Sequence, residues 1–219
     1  MTRKSLLAAG IVAGPIYVLV SLAQALTRDG FDLGRHAWSL LANGHLGWIQ
    51  ITNFIVSGLL AVGLAVGMRR ALHPGRASTW GPLLVGTYGI GMCIGGLFTT
   101  DPSFGFPPGA PAGMPADMSW HAVLHAIGFF TAFLSVIPAC FVFARRFAGR
   151  KQWRWTAYCA VSGVVAPALI VVGSNNLEIA GVLFFVAGVV VCAWLVAMSR
   201  SLLAAPQSAA RDRSPSSDL

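Results

Sequence analysis

Residues 179–198 read IAGVLFFVAGVVVCAWLVAM, twenty consecutive residues without a charged side chain. A transmembrane helix needs about 20 apolar residues, because the hydrocarbon core of a bilayer is about 30 Å thick. Of the 219 residues in the chain, 56% are hydrophobic and 10% are charged, and the mean hydropathy is +0.71. A soluble domain carries about 25% charged residues. The composition therefore excludes an ordinary soluble protein and predicts a polytopic membrane protein.

Six apolar segments of this kind follow one another along the chain. Lipid offers backbone groups no water to bond, so each segment is predicted to be helical. We predict an all-α fold: residues 1–199 form a domain of six transmembrane helices, and residues 200–219 form a disordered cytoplasmic tail rich in Ser, Ala, Pro and charge. The predicted spans are Leu6–Leu26, Ile49–Met68, Pro82–Phe98, Trp120–Ala144, Trp155–Gly173 and Ile179–Met198.

Basic residues are divided unequally between the two sides of the predicted bundle. Thirteen of the 15 Lys and Arg fall on one side, and only Arg28 and Arg35 fall on the other. This bias predicts a multi-pass protein of the cell membrane with both termini in the cytoplasm. It also explains the net charge of +8, so no nucleic-acid partner is predicted. The first apolar stretch is longer than the roughly 7–15 residues of a signal peptide, and we expect it to be retained.

Histidines are concentrated on the predicted outer side, which holds His36, His45, His121 and His125. His121 and His125 are four residues apart at the start of the fourth helix, so both rings share one helix face. Such a pair can chelate a metal, and zinc usually needs a third protein ligand. His36 and Asp101 are the candidates. In the alternative interpretation, the two histidines bond to backbone or to lipid headgroups.

The first outer loop carries a second candidate group. Arg35–Ala42 has helical spacing and predicts a short interfacial helix, which Trp38, Leu41 and Trp48 would seat in the membrane interface. Ser39 would share a face of this helix with His36. A serine is a nucleophile only when a base activates it. A hydrogen bond within the bundle is the alternative for Ser39.

Four motifs on the predicted outer side carry a family resemblance. They read RHAWSLL at residues 35–41, GWIQITNF at 47–54, GLFTTDP at 96–102 with FPPG at 106–109, and WHAVLH at 120–125. With these motifs the chain resembles the membrane-protein family called domain of unknown function 998, over about Ala9 to Met198. The resemblance implies a membrane protein of six helices and implies no particular reaction.

A second similarity concerns residue types rather than sequence. His36, Ser39, Asp101, His121 and His125 are similar as a set to those of the alkaline ceramidases and adiponectin-receptor relatives. Those membrane hydrolases combine a serine, an aspartate and three histidines around zinc. They have seven helices with the histidine pair in the last, whereas the pair here opens the fourth of six. The similarity is therefore an analogy of parts.

Three functions follow from these patterns as alternatives. The first is a membrane-embedded hydrolase of lipids in the outer leaflet: His36, His121 and His125 would hold zinc, Asp101 would bind the metal or orient water, and Ser39 would stabilise the oxyanion. The second is a transporter or binding subunit for a small solute. The third is an accessory membrane protein without catalysis. Membrane lipids are expected partners in each case, and the sequence does not indicate an oligomeric state.

Overall fold

The computed structural model describes residues 1–205, which form six long helices and one short 3-10 helix. Each long helix is long and apolar enough to cross a membrane. The prediction of an all-α protein with six spans is confirmed. The long helices are α1 (Arg3–Thr27), α2 (Gly47–Leu72), α3 (Trp80–Leu97), α4 (Trp120–Ala148), α5 (Trp153–Ser174) and α6 (Ala180–Leu203).

Several helix ends lie up to five residues from the predicted span ends, and two differences concern the predicted tail and the first loop. Helix α6 continues to Leu203, and residues 206–219, on which most of the predicted tail falls, lie outside the described residues. The short helix in the first loop covers only Trp38–Ala42 and is of the 3-10 type. It starts later than predicted because the ring of His36 binds the backbone N–H of Asp32, and Ala37 is extended with φ −66° and ψ 147°.

The six helices form a closed ring. Each helix packs against its neighbours in sequence, and α6 packs against α1. One end of the ring carries the two long loops, residues 28–46 and 98–119, and the short connection 175–179; we call it the loop face. The other end carries the loops 73–79 and 149–152 and the C-terminal end of α6, and we call it the basic face. It is the end predicted to be cytoplasmic.

Large side chains fill the half of the ring next to the basic face. Trp194 of α6 is fully buried, packs edge-on against Phe143 of α4 with ring centroids 5.6 Å apart, and donates from Nε1 to Sγ of Cys159 on α5 at 3.4 Å. Leu64 and Met68 of α2 are also fully buried in this cluster. Packed side chains therefore fill the interior of the ring at this end.

Glycines let neighbouring helices approach closely. A Cβ on Gly91 of α3 would lie 2.6 Å from the carbonyl oxygen of Gly128 on α4, and a Cβ on Gly128 would lie 2.8 Å from the backbone nitrogen of Gly95. Helices in lipid associate largely through such van der Waals contact, because lipid tails are as apolar as the helices themselves. This contact brings α4 against α3 beside the site described below.

We expect Gly128→Ala to lower the melting temperature of the detergent-purified protein, by the equivalent of about 1–3 kcal/mol for an overpacked contact. Gly188→Ala on α6 is the matched control, because a Cβ there meets no atom within 4 Å. Both substitutions gain the helix propensity of Ala, so the difference between them isolates packing. Equal melting temperatures for the two variants would contradict the close α3–α4 contact.

Candidate functional site

An axial cavity of about 90 Å³ lies inside the ring, towards the loop face. All six helices and the short 3-10 helix contribute to its wall, which is mostly apolar and aromatic. Ligand sites in proteins have this composition, with a few polar groups that fix orientation. The wall consists of Tyr17, Ala37, Trp38, Ser39, Phe54, Tyr88, Gly91, Met92, Gly95, His125, Gly128, Phe129, Ala132, Phe133, Ile170, Phe184, Gly188 and Val191.

Polar groups reach this wall from several elements. His125 directs Nδ1 to the carbonyl oxygens of Gly95 (3.0 Å) and Phe98 (2.8 Å). Because carbonyl oxygens only accept, Nδ1 carries the proton and Nε2 is an acceptor. Within residues 1–205, Nε2 has no hydrogen-bond partner. The hydroxyls of Tyr88 and Ser39 also belong to residues of the cavity wall.

Trp38 closes the cavity from the side of the first loop. Its side chain is 6% exposed, and the ring packs edge-on against Tyr17 (5.6 Å between centroids) and Phe185 (4.7 Å). Its Nε1 is buried and lacks a hydrogen-bond acceptor among the described residues. The prediction that Trp38 and Leu41 seat the short helix in the membrane interface is wrong, because both side chains are buried in one apolar cluster. Trp48 is 62% exposed, as an interfacial residue is.

His36 joins the two long loops. Its Nδ1 accepts from the backbone N–H of Asp32 at 2.9 Å, and its Nε2 donates to the carbonyl oxygen of Phe104 at 3.0 Å. The ring also packs against Phe31 and Phe106, at 5.2 and 5.7 Å between centroids. Both ring nitrogens are thus engaged by backbone groups. The prediction that His36 and Ser39 share a helix face is wrong, because His36 lies before the 3-10 helix, which starts at Trp38.

Asp101 fastens the second long loop to the start of α4. It accepts from the backbone N–H of Ser119 at 2.9 Å and from the Ser119 hydroxyl. Ser119 in turn caps α4 by accepting from the N–H of Ala122 at 3.2 Å, as its position in the sequence suggests. The Nδ1 of His121 is 2.9 Å from the carbonyl oxygen of Thr99, and its Nε2 is 3.9 Å from Oδ1 of Asp101.

The charge of Asp101 depends on these contacts. Burial raises the pKa of its carboxyl group, but the two hydrogen bonds from Ser119 and the charge of the nearby His121 lower it by more. The net pKa lies below the ordinary value. Asp101 is therefore an ionised carboxylate held by a helix cap at neutral pH.

The five predicted site residues fall into three places. His125 and Ser39 line the axial cavity, His121 and Asp101 are paired at the start of α4, and His36 joins the loops. In the described part of the chain, no group of three or more His, Cys, Asp or Glu side chains is placed to hold a metal ion. The zinc set of His36, His121 and His125 stays a prediction that this geometry does not favour.

A polar network between α1 and α2 was not predicted. Gln50 accepts from Gln24 (2.9 Å) and from the hydroxyl of Ser21 (3.2 Å), and Asn53 donates to the carbonyl oxygen of Tyr17 at 3.1 Å. All four network side chains are buried. In sequence these residues are single polar positions within apolar runs, and that was the only available signal. The network fixes the position of Tyr17 at the cavity.

The family described as "Protein of unknown function (DUF998)" matches residues 11–201. The chain belongs to this family. The match leaves out the first eight residues of α1 and the last two of α6, so it includes part of every helix and all residues of the axial cavity. No curated protein and no solved structure matches the chain.

We expect His36→Ala to lower the melting temperature by the equivalent of about 1–3 kcal/mol, because it leaves buried loop groups without their hydrogen-bond partner. His45→Ala, at an exposed position of the same loop, should have almost no effect. Thermal unfolding with added zinc or with a chelator checks the role of the His36 imidazole. A melting temperature that rises with zinc in wild type but not in His36→Ala would contradict the joining role and favour a metal ligand.

Asp101 should make stability depend on pH. A carboxyl whose pKa is lowered by folding stabilises the protein fully above its unfolded pKa, near 4, and less as pH falls through the folded value. We expect the melting temperature of wild type to fall on acidification below about pH 4, and that of Asp101→Asn to start lower and change less. Asp117→Asn, an exposed carboxyl in the same loop, is the control. Parallel curves for all three proteins would contradict this role.

Proposed function

We propose that the protein binds a small, largely apolar molecule with one or two hydrogen-bonding groups in its axial cavity, and that the molecule enters from the loop face. The observation that carries the proposal is the wall of the cavity, to which every helix contributes and in which aromatic surface surrounds a few polar tips. Pockets of this kind bury most of a ligand's surface and use few polar contacts for orientation.

The polar side-chain groups of the cavity wall define the chemistry of the ligand. Nε2 of His125 can accept a hydrogen bond, and the hydroxyls of Ser39 and Tyr88 can donate or accept one. A buried polar group without a partner costs free energy, as Nε1 of Trp38 does in the described chain. A ligand that offers a hydroxyl or carbonyl group recovers part of that cost, whereas a pure hydrocarbon does not.

The solid half of the ring supports binding rather than free passage. Trp194, Phe143 and Met68 fill the bundle between the cavity and the basic face, and all three are fully buried. A continuous pore would need these side chains to move. Access from the loop face requires displacement of Trp38 and the two loops that His36 joins.

Lipid hydrolysis remains a second candidate because Ser39 and His125 line the same cavity. Within residues 1–205, Ser39 has no histidine or carboxylate hydrogen-bonded to it, and a serine nucleophile needs such a base. The carboxylate of Asp101 is instead engaged by Ser119. Binding therefore has the stronger support of the two.

Phenol and toluene are a suitable pair of probes, since they carry a hydroxyl and a methyl group of similar size on the same ring. We expect the ratio of phenol to toluene affinity in detergent to fall about tenfold when the contacting hydroxyl is removed, the change that one hydrogen bond of about 1.4 kcal/mol provides. Ser39→Ala and Tyr88→Phe each remove one hydroxyl from the wall. The variant that loses the contacting hydroxyl should weaken phenol binding and leave toluene binding unchanged.

Gly188→Leu tests the location of binding. A Cβ at Gly188 meets no atom within 4 Å, so the larger side chain extends into the cavity without displacing the backbone. It should abolish saturable binding of both probes. Gly113→Leu, on an exposed loop where a Cβ is equally free of contacts, corrects for partition of the probes into detergent. Equal binding by these two variants, measured by equilibrium dialysis, would overturn the proposal.

A further inference from the structure

A membrane-facing groove runs between α1 and α6 to the basic face. Small residues such as Gly14, Ala193 and Ala197 line it, and its volume is about 760 Å³. Arg200 lines its basic end, 11 residues along α6 from Val189, which is about 16 Å of helix. Half of the hydrocarbon core is about 15 Å thick. The groove thus spans the depth of one leaflet.

A basic cavity of about 310 Å³ adjoins this groove. Trp155, Ser201 and Ala204 line both spaces, so the two adjoin at the basic face. Arg146 and Arg150 line the basic cavity. Trp155 stacks on Phe147 with the ring centroids 5.6 Å apart, which holds Trp155 in place where the groove meets the cavity. Apolar and basic surfaces therefore meet at the depth where a lipid chain joins its headgroup.

Arg146 is an unusual residue at this junction. It is 7% exposed, and its Nη1 donates to the carbonyl oxygen of Arg76 at 2.7 Å. In the described chain all acidic side chains lie in loops of the loop face, at residues 29, 32, 101, 117 and 178. Asp212 and Asp218 lie outside the described residues. No carboxylate of residues 1–205 therefore compensates this buried charge.

Buried charges in proteins are usually paired with an opposite charge, because removing an ion from water is costly. Basic pockets between transmembrane helices bind the headgroups of anionic lipids for this reason. We propose that an anionic phospholipid of the leaflet next to the basic face occupies this composite site. One acyl chain lies in the groove between α1 and α6, and the phosphate contacts Arg146 and Arg150. The site shares no residue with the axial cavity.

Native mass spectrometry of the full-length protein tests the proposal with phosphatidylglycerol and phosphatidylcholine of identical acyl chains. Wild type should form a one-to-one adduct with phosphatidylglycerol in preference to phosphatidylcholine. Arg150→Gln and Arg146→Gln should each weaken that adduct by about fivefold, the change that about 1 kcal/mol per basic residue produces. Ala197→Phe, which fills the groove, should weaken it as well.

Arg145→Gln is the matched control. Arg145 is the exposed neighbour of Arg146 and lines neither space, so its variant loses the same charge and should bind phosphatidylglycerol as wild type does. Equal loss in Arg145→Gln and Arg150→Gln would show nonspecific attraction and overturn the proposal. Full binding by Ala197→Phe, or displacement of the adduct by excess inorganic phosphate, would show an anion site without a lipid and would also overturn it. Arg150 is exposed, so its variant tests the site even if Arg146→Gln fails to fold.

Discussion

The contact between α1 and α6 closes the ring, and the axial cavity depends on it. A Cβ on Gly14 of α1 would lie 3.0 Å from Cβ of Cys192 on α6, and one on Gly10 would collide with the hydroxyl of Ser199. Because lipid tails compete equally for apolar helix surface, close contact between small residues favours closure. Without it, the space inside the ring would open to lipid.

The closed ring is built differently in its two halves. Towards the basic face, Trp194 and Phe143 reach across the axis and leave no room for a ligand. Towards the loop face, glycines replace large side chains at Gly91, Gly95 and Gly128, and the cavity lies beside them. The same small residues that let α3 and α4 approach each other also remove the side chains that would fill the axis. Packing and cavity therefore have a common cause.

The sequence allowed the six helices to be predicted because a bilayer leaves the backbone no alternative, and composition alone carries that signal. The Ser119 cap depends on Ala122, three residues away, and is local in the same sense. The positions of His36 and Trp38 were not predictable from local pattern, since the partner of His36 is the carbonyl oxygen of Phe104, 68 residues away. The local sequence around a histidine on the outer side does not show whether the side chain ligates a metal or joins two loops. Only the fold distinguishes these roles.

Arg145 and Arg146, adjacent at the end of α4, show how far membrane topology explains the positive charge of the basic face. Orientation in the membrane requires positive charge near the helix end, and exposed Arg145 supplies it without being removed from water. Arg146 supplies the same charge but is buried, and burial weakens any interaction with the membrane surface while adding a desolvation cost. Its one carbonyl contact uses a single donor of the five that a guanidinium carries. The other donors have no acceptor among the described residues, and Arg146 shares the basic cavity with a second cation, Arg150, rather than with a carboxylate. Topology therefore explains the charge of Arg145 but not the burial of Arg146.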